Sequence, residues 1–141
     1  WAARYGYIGC LQILLDAKAD IHATNEDGYT ALTAAADRGE VACVQMLIDA
    51  KANIEATDND DNTVLMIAAK NGRTKCLYSL LDAKADVNIK RKDGYTASIV
   101  AAIRDQNECL QMLIDAKADI DAATKNGYTA SIAAASNGST T

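Results

Sequence analysis

Residues 31–37, ALTAAAD, are small or apolar at nearly every position, and Gly39 then breaks the run. From Val41 onward the apolar positions Val44, Leu47 and Ile48 recur at the spacing of one helix face, with Gln45 and Asp49 off it. This pattern predicts a short Ala-rich helix over 31–37 and a second helix starting near Val41. Thr30 is placed to cap the first, because its hydroxyl can accept from a free amide of the opening turn. Asp27-Gly28 is a turn signal ahead of it, and AKANIEAT leads away as an extended connector toward the next Asp-rich turn.

The same order of turn, helix, loop, helix and connector then returns. LLDAKADIH at 14, LIDAKANIE at 47, LLDAKADVN at 80 and LIDAKADID at 113 are each 33 residues apart. The period divides the chain into three full units, 25–57, 58–90 and 91–123, between partial units 1–24 and 124–141. Helices shorter than about 12 residues are marginal alone in water. A single unit therefore cannot cover its own apolar faces, and copies must stack to bury them. The Ala-rich first helix lets its neighbour approach closely.

With both halves of the unit aligned, the chain resembles ankyrin repeats over essentially all of its length. The matching stretches include DGYTALTAAADRG and VQMLIDAKAN within 27–53, and DGYTASIVAA and LQMLIDAKAD within 93–119. The resemblance implies an all-α repeat solenoid over 1–141: a stack of paired antiparallel helices with short β-hairpin or loop fingers. It also implies a concave surface of fingers and inner helices that binds other proteins. Departures from the family pattern are informative. No Pro is present, and the helix-opening Pro is replaced by Ala31, Val64, Ala97 and Ala130. Thr33, Met66, Ile99 and Ile132 stand where the family has His, so a hydrogen bond between adjacent turns is lost. Leu32 and Leu65 give way to Ser98 and Ser131, from which the C-terminal half is expected to be the less stable.

Lys18, Lys51, Lys84 and Lys117 stand where the family ends its second helix with Gly. If the left-handed geometry is kept, a side chain costs roughly 1 kcal/mol there. A cation near a helix C-terminus recovers about 0.3–1 kcal/mol, so Lys is tolerable without a functional reason. Asn88 resembles the connector asparagine that hydroxylases modify in some ankyrin arrays.

Composition narrows the classes. A formal charge of -5 argues against general nucleic-acid binding, which relies on cationic surface to neutralise phosphates. No apolar run approaches the ~20 residues of a membrane span, and no secretory signal is visible. The first residue is Trp, and the chain reads as a piece of a longer polypeptide. With no Phe, one Trp and six Tyr, the core must be aliphatic. Cys10, Cys43, Cys76 and Cys109 recur at the same 33-residue interval. Stacked units about 8–10 Å apart hold such residues too far apart for a disulfide, and the spacing is wrong for zinc. The cysteines are expected to form a buried, reduced ladder in an intracellular, cytoplasmic protein.

The ankyrin resemblance implies that partner-facing residues fall at the finger tips, here 25–29, 58–62, 91–95 and 124–128, and at the inner-helix ends. Tyr29, Tyr95 and Tyr128 share one finger position, interrupted by Asn62. Tyr is enriched in binding hot spots, although each ring could simply pack along its own hairpin. Glu26, Asp27, Asp58, Asp60 and Asp61 crowd the earlier tips, whereas Lys90, Arg91 and Lys92 begin the next. Such a dipolar strip favours an extended partner with charges in the opposite order. The inner-helix ends add Arg4, Tyr5, Asp37, Arg38, Lys70, Asn71, Ile103 and Arg104. The expected partner-binding set is Tyr29, Tyr95, Tyr128, Asn62, Glu26, Asp27, Asp60, Arg38, Lys70, Arg91, Lys92 and Arg104.

Asp58, Asp60 and Asn62 resemble the start of a calcium loop, but its required Gly is Thr63 and its bidentate Glu is Ala69. His22, the sole histidine, has the equivalents Glu55, Asn88 and Asp121, which offers no fixed acid–base partner. No metal, cofactor or catalytic site is expected. The chain is read as a protein-binding module, monomeric unless its uncapped ends self-associate. The alternative is a structural spacer or regulatory segment of a longer protein.

Overall fold

The computed structural model describes residues 8–136. Arg4 and Tyr5 lie outside them. Eight helices are present among the described residues: α1 Ile8–Asp16, α2 Ala31–Arg38, α3 Val41–Asp49, α4 Val64–Lys70, α5 Thr74–Asp82, α6 Ala97–Ile103, α7 Asn107–Asp115 and α8 Ala130–Ser136. They have 7–9 residues, too short to persist without neighbours.

Each inner helix opens on a threonine. Thr30, Thr63, Thr96 and Thr129 accept from the backbone N–H three residues on. Inner helices α2, α4, α6 and α8 pack in series, as do outer helices α1, α3, α5 and α7. Pairs α2–α3, α4–α5 and α6–α7 join the two rows. Ala35, Ala36, Ala68, Ala69, Ala101 and Ala102 line the inner row at 0–3% exposure, so small residues set the close approach. Leu47, Leu80 and Leu113 are fully buried along the outer row.

The outer helices end as the recurring lysine requires. Lys18, Lys51, Lys84 and Lys117 adopt φ of 60°, 68°, 70° and 69°. At the end of α3, Lys51 N–H donates to Ile48 O and Ala52 N–H to Leu47 O, each at 3.0 Å. This paired arrangement satisfies carbonyls left free by the helix. The first turns of the outer helices reach across units: Arg73 Nε donates to Asp37 O and Gln106 Nε2 to Lys70 O.

One expectation needs correction. The cysteine ladder is buried at Cys43, Cys76 and Cys109, but Cys10 is exposed; among the described residues α1 packs chiefly on α3. The fingers are closed loops, and a single antiparallel bridge, Thr57 to Thr63, is formed among the described residues. Five-residue fingers are too short for a ladder.

Candidate protein-binding surface

Each finger is closed by two backbone hydrogen bonds. Its first residue donates to the carbonyl of its fifth: Asn25 to Tyr29, Asp58 to Asn62, Arg91 to Tyr95 and Thr124 to Tyr128. The fourth residue donates back to the first and takes positive φ, at Gly28 (80°), Asp61 (69°), Gly94 (91°) and Gly127 (83°). The first residue usually supplies an acceptor as well. Asn25 Oδ1 and Asp58 Oδ1 each take two later amides of their own finger, and Thr124 Oγ1 takes Tyr128 N–H. Asp58 is thereby occupied in its own turn.

Finger-to-finger contacts fix their register. Asn59 N–H donates to Asp27 O at 3.0 Å and Lys125 N–H to Asp93 O at 3.1 Å. An added Cβ at Gly28 would come within 2.8 Å of Asn59 N, and one at Gly94 within 3.0 Å of Lys125 N. Glycine is required there for close approach. Between the second and third fingers this position is Asp61, and Lys92 N–H donates to its Oδ2 at 2.8 Å. A carboxylate is interposed, and a gap of about 200 Å³ bordered by Asp60, Arg91 and Lys92 lies beside it.

Arg91 is the finger residue that breaks the acceptor pattern. Its guanidinium donates to Asp93 Oδ1 and Oδ2 at 3.2 and 2.6 Å and to Asn62 Oδ1 at 3.0 Å. It also lies over the Tyr95 ring, 4.9 Å from the centroid. The Arg91 hydrogen bonds hold the Asp93 carboxyl below the usual carboxylate range, with burial acting against them. Asn62 thus has a different job from the tyrosines at its position. It anchors the arginine of the next finger.

The structure brings Asn62, Lys70, Arg91, Tyr95 and Arg104 around one cleft of about 340 Å³. Asp93, Val100 and Ile103 complete its walls. Among the described residues, neither Lys70 nor Arg104 makes a side-chain hydrogen bond or ion pair. One unit earlier the charge is reversed. Tyr29 is half-buried, and its phenol is pushed above its ordinary value by burial first and then by Asp37, Asp58, Asp27 and Asp60. Of the other expected residues, Glu26 and Arg38 are exposed on the first finger and at the end of α2, Tyr128 is exposed on the fourth finger, and none of the three lines the cleft.

The sequence pattern does not single out Asp93 or Asn59, and it presents Asp61 only as one of the crowded tip charges, whereas all three position the fingers. The available signals were a cation at a position otherwise held by Asn, Asp or Thr, and a carboxylate two residues later. The connector position 55/88, read from the sequence only as offering no fixed acid–base partner, is structural: Glu55 Oε2 and Asn88 Oδ1 accept from Asp86 and Asp119 N–H, each at 2.8 Å. His22, the equivalent in the first connector, is exposed.

The family model for ankyrin repeats in three copies matches residues 1–91 and again 65–141. The chain belongs to the ankyrin repeat family, whose members are in general non-enzymatic protein–protein interaction modules. A search of curated proteins finds no match. No helix among the described residues is long and apolar enough to cross a membrane.

Proposed function

We propose that the array 1–141 is a single protein-binding module that presents its fingers and inner-helix ends to a protein or peptide partner. The contact residues are Tyr29, Tyr95 and Tyr128 with the charged groups between them. One observation carries this reading: the fingers are bonded to one another in fixed register while displaying tyrosine rings and, in one cleft, Lys70 and Arg104, which make no ion pair among the described residues. A surface ordered before binding loses little further entropy, so most of the ordering cost falls on the partner. The reading is non-catalytic. His22 is exposed on a connector, and burial holds the thiols of Cys43, Cys76 and Cys109 above their ordinary pKa, which makes them poor nucleophiles at neutral pH. Reduced thiols fit an intracellular setting.

A peptide-display selection against the chain, run beside a Tyr29→Ala, Tyr95→Ala, Tyr128→Ala variant of unchanged circular dichroism, tests the reading. Peptides that bind the parent and lose the variant are expected. No enrichment, or equal binding to both, would favour a spacer that responds only to repeat number.

A further inference from the structure

Resting on that reading, we propose that the cleft between the second and third fingers seats the carboxylate of an acidic side chain from an extended peptide. The Tyr29 site one unit earlier takes a basic side chain of the same peptide. Charge decides the first assignment. Arg91 is neutralised locally by Asp93 through two hydrogen bonds, which leaves Lys70 and Arg104 facing the cleft with no ion-pair partner among the described residues. The C-terminal ends of α4 and α6 oppose them, each with the equivalent of roughly half a negative charge. Together the two helix ends offset about one of the two free cations, so the cleft stays positive. Carbonyls Ile67 O, Ala69 O, Val100 O and Ala102 O already accept from backbone N–H groups, which blunts their effect further.

Shape agrees with charge. A cleft of about 340 Å³ holds roughly ten waters' volume, enough for one or two side chains and too little for a folded element. Val100 and Ile103 give it an apolar wall suited to the methylene stem of a Glu, with the charged head directed at Lys70 and Arg104. Arg91, fixed by Asp93, Asn62 and the Tyr95 ring, gives a wall that need not reorganise. The occurrence of Asn62 where the other fingers carry Tyr makes the site specific to this unit.

Thirty-three residues earlier, Asp37 replaces Lys70 and Tyr29 replaces Asn62. Tyr29 is half-buried on the first finger with Asp27, and the Asn59 N–H to Asp27 O bond holds the second finger, with Asp58 and Asp60, against it, so ring face and carboxylates together attract a cation. Adjacent units are separated by about one helix-packing distance, roughly 8–10 Å. A polyproline II segment, with three residues per turn and a rise of about 3.1 Å each, covers that in three residues and brings both side chains to the same face. The recognised segment therefore carries an acidic and a basic side chain about three residues apart.

Two short peptides with a Lys and a Glu three residues apart, in the two possible orders, serve as probes, with single-charge Lys-only and Glu-only versions beside them. Backbone amide spectra of the whole chain are followed during titration. The Glu-only peptide is expected to shift amides of Arg91, Tyr95, Ile103 and Arg104, and the Lys-only peptide those of Tyr29 and Asp58. One order of the two-charge peptide should bind at least tenfold more tightly than either single-charge peptide. A Lys70→Gln, Arg104→Gln variant should lose about tenfold in affinity for the Glu-only peptide while keeping its melting temperature. Shifts outside the cleft, no loss in the variant, or an equal response to sodium phosphate would overturn the proposal. If these tests fail while displayed peptides still depend on Tyr29, Tyr95 and Tyr128, the broader binding function stands and only the charge code falls.

Discussion

Asp105 and the four recurring lysines sit in the same strained backbone region but differ in what their charges do there. Lys51 at φ 68° costs roughly 1 kcal/mol for its side chain and recovers about 0.3–1 kcal/mol as a cation at a helix end, so Lys51→Gly should change stability by no more than about 0.7 kcal/mol. Asp105, at φ 57° just past α6, stands where Gly39 and Gly72 close the earlier inner helices. Here the strain and the anion at a helix C-terminus act in the same direction. Even after the extra freedom glycine gives the unfolded chain, Asp105→Gly should stabilise by about 1 kcal/mol, read by urea denaturation. Ser98 presents a different defect. It is 1% exposed, its hydroxyl has no hydrogen-bond partner, and Leu32 and Leu65 fill its place elsewhere. Removing an unsatisfied buried hydroxyl is worth about 1–3 kcal/mol less whatever packing is lost, so Ser98→Ala should raise stability by about 1 kcal/mol. No gain in the melting temperature of the Ala variant would mean that the hydroxyl is satisfied in solution.

Among the elements, α3, α5 and α7 carry the buried thiols, and burial makes these pH-sensitive. Cys76 is raised to about 11, mainly by burial, with Arg73 lowering and Glu40 raising it. In the unfolded chain the thiol ionises at its ordinary value near 9 while the folded chain keeps its proton. Folding stability is therefore intact below about pH 9 and falls as pH rises toward 11, by on the order of 2–3 kcal/mol for this group. Urea titrations at pH 7, 9 and 10.5 should show a progressive loss, and a Cys76→Ala variant a shallower one on a less stable background. Alkylation at neutral pH should modify Cys10 alone and reach all four cysteines only in denaturant. These helices were legible in the sequence because period, Thr caps and apolar spacing all lie within one unit. The cleft was not, because Asn62, Lys70, Arg91 and Arg104 come from different units and meet only through the offset between stacked copies. Nor did composition distinguish Cys10 from its buried equivalents, since exposure at that position depends on what covers α1.

Taken whole, the stack should be unevenly stable along its length, because each helix pair draws its burial from its neighbours. The main apolar cluster runs from Leu11 to Leu113 and is densest around α4 and α5. The last inner helix instead packs in a separate small cluster of Ile99, Ala102, Ala130 and Ala133, three of them alanines. Ile132 is 45% exposed where its equivalent Ile99 is 1% exposed, and Ser131 faces solvent. The unsatisfied Ser98 and the strained Asp105 weaken the same end from within. On the first described helix Ile13 is 68% and Leu14 46% exposed, but α2 behind it has full Leu32 packing. Residue-resolved hydrogen exchange should find the amides of α4 and α5 slowest, those of α2 and α3 next, and those of α8 fastest among the inner helices. If units 91–123 and 124–141 were better protected than 25–57 and 58–90, side-chain burial would not be what sets local stability here. If the gradient holds, the acidic site around Tyr29 and the α4 side of the cleft lie in the best-ordered region. Arg104, at the end of α6, is then the cleft residue most exposed to local opening. Weakening α8 should reduce affinity for an acidic side chain before it affects binding of a basic one, a difference the two single-charge peptides can read directly.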